Sequence, residues 1–211
     1  SLSGGDMVSN LIIAPHPDDA VLGCYSFLPQ SFVLYITTYH PLFPEGENNK
    51  ERLELSRTFA FGMHPTEGKG FETNKLDKVP IERIIDKIEK YINIKTPHTV
   101  LIPNPSYNQD HRVVYDAALT AMRHHDRNHF VKRVLLYEQP ETWDTMRKPR
   151  PFDATYFRKI DIDAKIEAIS IYQSQLRGHR SLEYIHALSK IRGQQANMDY
   201  AEAFEVVRWI E

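Results

Sequence analysis

A ten-residue stretch near the start of the chain, Leu11-Ile12-Ile13-Ala14-Pro15-His16-Pro17-Asp18-Asp19-Ala20, constrains the fold more than any other. Its apolar run predicts a buried strand, and the apolar-periodic residues after it predict a helix. One imidazole and two carboxylates fall at the junction. In an open α/β sheet such a junction lies at the carboxyl end of a strand, where these folds place their chemistry. His16 and Asp19 can turn toward one point, with Asp18 approaching it from the side. That pattern suits two metal ligands and a base for a metal-activated water. The same carboxylates also suit a helix N-cap, and these ten residues alone leave both readings open.

The chain has 211 residues, which predicts one domain over 7–211 with a substantial core. Ser1–Asp6, small and polar, reads as a disordered arm or expression remnant ahead of Met7. The net charge is −2 with Lys and Arg dispersed, so neither a nucleic-acid surface nor a polybasic membrane patch is expected. Cys24 is the one cysteine, which excludes an intramolecular disulfide and fits a reducing cytosol. Its position on an apolar face predicts a buried small hydrophobe and not a nucleophile. No apolar run approaches the ~18 residues of a membrane span, and no charged-then-apolar leader is expected. The expectation is a cytoplasmic globular protein.

Strand-like runs recur at Val8–Ala14, Phe32–Thr38, His98–Pro103, Val131–Tyr137 and Ala154–Lys159. Helical spacing covers Asn49–Phe61, Pro80–Ile94, His111–Arg123, Asp161–Gln175 and Ser181–Gly193. Thr66–Lys78 lacks periodicity and is expected to wander over the surface. Tyr200–Ile210 suits helix or strand, and Phe204, Val206 and Val207 favour a closing strand. This alternation predicts an α/β fold whose mostly parallel sheet is covered on both faces.

A second polar junction follows His98–Pro103: Asn104-Pro105-Ser106-Tyr107-Asn108-Gln109-Asp110-His111. Both strand ends of a parallel sheet lie on one side, so His111 can meet His16 and Asp19. Two imidazoles and a carboxylate leave positions open for water and substrate, as in a catalytic site. The set suits Zn²⁺, and also Fe²⁺ or another divalent metal. Asp110 read alone suits a helix cap.

At this point the chain resembles the LmbE-like (PIG-L) family of metal-dependent N-acetylsugar de-N-acetylases. The family's A-H-P-D-D-E motif corresponds to Ala14-Pro15-His16-Pro17-Asp18-Asp19-Ala20, and its H-x-D-H motif to Asn108-Gln109-Asp110-His111. Tyr172-Gln173-Ser174-Gln175 and Tyr200-Ala201-Glu202-Ala203-Phe204 add tail signatures in the same order. The resemblance implies a Rossmann-like three-layer α/β/α fold. It further implies metal ligation by His16, Asp19 and His111, Asp18 as general base, and a small N-acetylated sugar as substrate. Asn108 and Asp110 take the catalytic positions of the second motif, and Arg52 falls near a sugar-binding position. His40, just past a strand end, is a further substrate-binding candidate.

Two residues depart from the pattern. Ala20 replaces a Glu that buttresses the site, and Asn108 replaces a His paired with Asp110. An Asn amide donates a hydrogen bond to an oxyanion but cannot supply a proton. Protonated Asp18, Tyr107, His40 and His179 are the candidate donors to the leaving amine. The alternative is a catalytically impaired member that binds a sugar or nucleotide-sugar. A metal-free nucleotide-binding protein is disfavoured, because no glycine-rich turn follows the first strand. Specificity is expected in Tyr39–Asn49, Thr66–Pro80 and Gln139–Asp153.

Overall fold

The structure, a computed structural model, describes residues 10–39, 50–55, 70–124, 127–140 and 151–211, without the side chains of Tyr39 and His179. In chain order the strands are β1 (Asn10–Ala14), β2 (Ser31–Tyr35), β3 (Thr37–Tyr39), β4 (Phe71–Glu72), β5 (Thr99–Pro103), β6 (Arg133–Tyr137), β7 (Tyr156–Lys159) and β8 (Ala201–Trp209). The helices are α1 (Asp19–Cys24), α2 (described over 50–55), α3 (Ile81–Lys95), α4 (Gln109–Ala121), α5 (Ile162–Ser170) and α6 (Leu182–Gln195).

Runs such as Leu11-Ile12-Ile13-Ala14 and Val100-Leu101-Ile102 are buried on both faces, which places them inside a covered sheet. The six-stranded sheet has the order β2-β1-β5-β6-β8-β7. β2, β1, β5 and β6 are parallel, while β8 runs antiparallel to both β6 and β7. Alternation sorts the core. Leu11, Ile13, Val100 and Ile102 pack against Ile84, Ile88 and Ile92 of α3 and Val114 and Ala118 of α4. Ile12, Ala14, Leu101 and Leu135 face α1, with Ala168, Ile169 and Ile185 from α5 and α6.

Several boundaries differ from the sequence expectation. Tyr200–Ile210 holds a strand, β8 (Ala201–Trp209), as its β-branched and aromatic residues suggest. Thr66–Lys78 does not simply wander: from residue 70 on it contributes β4, paired in parallel with β3, and a 3₁₀ turn at Leu76–Lys78. The helix expected over Asp161–Gln175 ends at Ser170, and a separate 3₁₀ turn spans Gln173–Gln175. The outer parts of the helix expected over Asn49–Phe61 lie outside the described residues.

β1 pairs with β2 on one side and β5 on the other, so the chain order reverses between β1 and β5. A crevice forms at such a switch point, beyond the carboxyl ends of the strands. Both polar junctions of the sequence open there.

Candidate metal centre

The first motif is a tightly pinned turn. Pro15 O accepts from Thr37 N at 3.0 Å and Thr37 Oγ1 at 2.7 Å, and Pro17 O accepts from Tyr172 Oη at 2.9 Å. Asp19 Oδ2 accepts from the His16 backbone N at 2.8 Å, which closes the turn around its own carboxylate. Gly23 lets α1 approach β6: a Cβ there would stand 2.5 Å from Tyr137 Cδ2 and 2.8 Å from Glu138 O.

Three donor atoms converge from the two junctions. His16 Nδ1 lies 3.1 Å from Asp19 Oδ2, His111 Nε2 lies 3.2 Å from the same oxygen, and the two imidazole nitrogens are 3.2 Å apart. All three residues are buried, and they form a group able to hold a metal ion. Ligand atoms at about 2.0–2.1 Å from one tetrahedral zinc stand ~3.3 Å from one another, so the triangle has the size such an ion requires. Among the described residues Asp19 Oδ1 is buried without a hydrogen-bond partner, an acceptor that a cation would satisfy. The residues therefore fit a divalent metal.

Asp110 sets up this triangle from behind. Its Oδ2 stands 3.0 Å from His16 Nε2 and accepts from Asn74 N at 2.6 Å, while Oδ1 accepts from Leu76 N at 3.0 Å. With Nε2 of His16 held by a carboxylate, Nδ1 is the nitrogen that faces Asp19 and His111 and would ligate in the neutral ring, the carboxylate–histidine pairing common around metals. This differs from the expected pairing of Asp110 with position 108: the carboxylate turns to His16, Asn74 N and Leu76 N, while the Asn108 side chain meets the Asp110 backbone N. Ser106 Oγ lies 3.4 Å from His111 Nδ1.

Charges within the cluster reinforce one another. Burial works against protonated His16, but Asp19, Asp110 and Asp18 outweigh it and push the imidazole up to about 10. Burial likewise opposes ionised Asp19, yet His111 and His16 hold it well below the ordinary carboxylate range. Asp18 is pushed up, by burial first and Asp19 second, with Arg180 and His16 pulling the other way.

Asp18 does not cap α1 through its side chain. Its Oδ2 accepts from Arg180 Nη1 at 3.1 Å. Arg180, from the 3₁₀ turn Gly178–Arg180, is a site residue that sequence reasoning missed. The available signal was its position five residues after Tyr172-Gln173-Ser174-Gln175; Gln175 Oε1 lies 3.4 Å from the same Nη1.

The N-cap role falls instead to Asn108, whose Oδ1 accepts from Asp110 N at 2.9 Å at the start of α4. Arg112 Nη1 donates to Ser106 O at 2.8 Å and ties down that loop. Arg52 is buried on α2, its guanidinium 4.9 Å above the Tyr35 ring. His40 lies outside the described residues.

No protein-family model matches the sequence, and no curated protein matches it. Solved structures do. The conserved protein TT1542 from Thermus thermophilus is 25% identical with a TM-score of 0.73, the match covering 97% of each chain. The N,N'-diacetylchitobiose deacetylase from Pyrococcus horikoshii is 18% identical with a TM-score of 0.72, covering 94% of this chain and 83% of that one. GalB, the 4-carboxy-2-hydroxymuconate hydratase from Pseudomonas putida, is 17% identical with a TM-score of 0.70, covering 96% and 98%. Over nearly its whole length the chain has the α/β fold of the LmbE-like deacetylases that its two motifs resemble.

Proposed function

We propose that the protein is a metal-dependent amide hydrolase that removes the acetyl group from an N-acetylated amino sugar or its conjugate. The observation that carries this reading is the convergence of His16 Nδ1, Asp19 Oδ2 and His111 Nε2, with the Asp18 carboxylate on the intervening residue of the same turn. A divalent metal on these ligands, zinc by its preference for the set, supplies Lewis acidity that activates water and polarises a carbonyl. Asp18 takes the proton of the attacking water. Arg180 aims the Asp18 carboxylate, and Asp110 keeps His16 in its ligating tautomer. Asn108, its Oδ1 engaged by the backbone, has only its amide N–H groups to offer an oxyanion. The proton on Asp18 returns to the departing amine, so amide and water give acetate and a free amine. The single, buried Cys24 fits a reducing cytoplasmic setting.

The test is acetate release from a panel of N-acetylated sugars by chelated protein reloaded with Zn²⁺ or Fe²⁺. Metal-dependent release supports the reading, and Asp18→Asn should lower the rate by ~10²–10⁴ while metal still binds. Sugar binding without acetate would make the chain a binding protein.

GalB brings a second reading, favoured by Asn108. Adding water to a carbon–carbon double bond expels no amine, so the missing imidazole at that position costs nothing. Water addition to an unsaturated hydroxy acid, with no acetate from any sugar, would establish it.

A further inference from the structure

At the end of the sheet opposite the metal centre, a cleft of about 160 Å³ opens where β1, β5 and β6 begin. Asn10, Thr99 and Arg133 line it from the strand starts, and Phe27, Arg158 and Trp209 surround it. It exceeds the ~10–15 Å³ that one water needs and falls short of the ~300–1,000 Å³ of sites for drug-sized ligands, which is the scale of a small ion.

Two guanidinium groups face this cleft. Arg133 lies 4.3 Å from the Trp209 ring, and Arg158 lies 4.0 Å from the Phe27 ring. Stacking fixes each planar fork and leaves its in-plane N–H donors for another partner. Among the described residues neither side chain has a carboxylate or hydrogen-bond partner, and Arg133 Nε is buried without one. A β-bulge creates the arrangement. Val134 pairs with Arg208 and Leu135 with Val206, so Val207 is the extra residue. The skip turns Trp209 onto the face of Phe204 and Phe27, where it meets Tyr156 at 5.9 Å.

We propose that this cleft binds a small tetrahedral oxyanion, a phosphate or the phosphate group of a monoester, independently of the metal centre. Glu202, opposite Arg158 on β8, is taken up by Lys165 and the Tyr25 and Ser26 amides, so among the described residues neither fork is ion-paired. Two such forks match a dianion that accepts several hydrogen bonds, the form of recognition at which Arg excels.

The experiment is a titration of metal-loaded protein with inorganic phosphate, followed by ¹H–¹⁵N spectra. The Asn10, Thr99 and Arg133 amides and the Trp209 indole N–H should shift saturably. The double variant Arg133→Gln/Arg158→Gln should weaken binding by ~10-fold or more, the loss of one charged hydrogen bond or better. If that variant does not fold, Arg133→Lys and Arg158→Lys, which keep the charge and lose the fork, should each weaken it. Phenyl phosphate binding tighter than inorganic phosphate assigns the cleft to an ester, and equal or weaker binding assigns it to the free ion. Shifts confined to the surroundings of His16 and His111, unchanged affinity in the variants, or equal saturation by acetate would each overturn the proposal.

Discussion

The Asp110 carboxylate lies 3.0 Å from Nε2 of His16, a contact that favours the proton on that nitrogen in a neutral, ligating ring. Asp110→Asn should therefore cost ~10–100-fold in metal affinity, the usual effect of losing a carboxylate behind a ligating His. Competition with a chromogenic chelator measures it, and unchanged affinity would show that the contact is incidental. Asn108 caps α4, and in the proposed reaction its amide would also serve the oxyanion. Asn108→Ala should lower stability by ~0.5–2 kcal/mol through the lost cap. It should also lower kcat by ~10²–10³ if the amide reaches the oxyanion. A fall in Tm at constant kcat would leave it a cap alone. The cap itself was not legible in the sequence: Asp18, Asp19 and Asp110 were the residues that also suited a cap, while their carboxylates are drawn to partners distant in the chain or within the turn.

At the scale of elements, α1 is held by a buried polar knot. Glu202 of β8 accepts from Tyr25 N at 2.9 Å, Ser26 N at 2.8 Å and Lys165 Nζ at 2.8 Å, and Lys165 also donates to Leu22 O at 2.9 Å. Both charges are buried, so Glu202→Ala strands an ammonium and should destabilise by ~3–5 kcal/mol in denaturant unfolding. A cost within ~0.5 kcal/mol, ordinary for a surface change, would mean the pair is solvated. The strand and helix types of the central elements were legible because covered parallel strands are uniformly apolar and α3 carries Ile84, Ile88 and Ile92 on one stripe. The break between α5 and the following 3₁₀ turn was not, because Tyr172 leaves helical geometry to reach Pro17 O, a contact 155 residues away in sequence.

Over the whole molecule, the candidate metal centre joins the junctions after β1 and β5 across the crevice, so a bound metal would be linked to the fold. Bound metal should raise stability by ~2.7 kcal/mol at a hundredfold excess over Kd, and a chelator should remove that gain. Chelated protein should show its own pH window. Raised His16 stabilises fully below its ordinary value of 6.5 and loses that contribution as pH climbs through about 10. Depressed Asp19 stabilises fully above its ordinary value of 3.8 and loses that contribution on acidification. Thermal melts of the chelated protein should therefore peak between these two ordinary values and decline on either side; a flat profile would show that the cluster is not ionised as an ion pair. What the sequence by itself determined is whatever depends on local order: the strand-to-helix junctions, their imidazoles and carboxylates, and the α/β alternation that sends both junctions to one side of the sheet. Tertiary structure alone decided the antiparallel direction of β8, the bulge that turns Trp209, the choice of His16 as partner for Asp110, and the arrival of Arg180 at Asp18. Each of these depends on which distant backbone or charge lies within about 3 Å of a side chain, and such distances are set by the packing of the two helical layers and not by spacing along the chain.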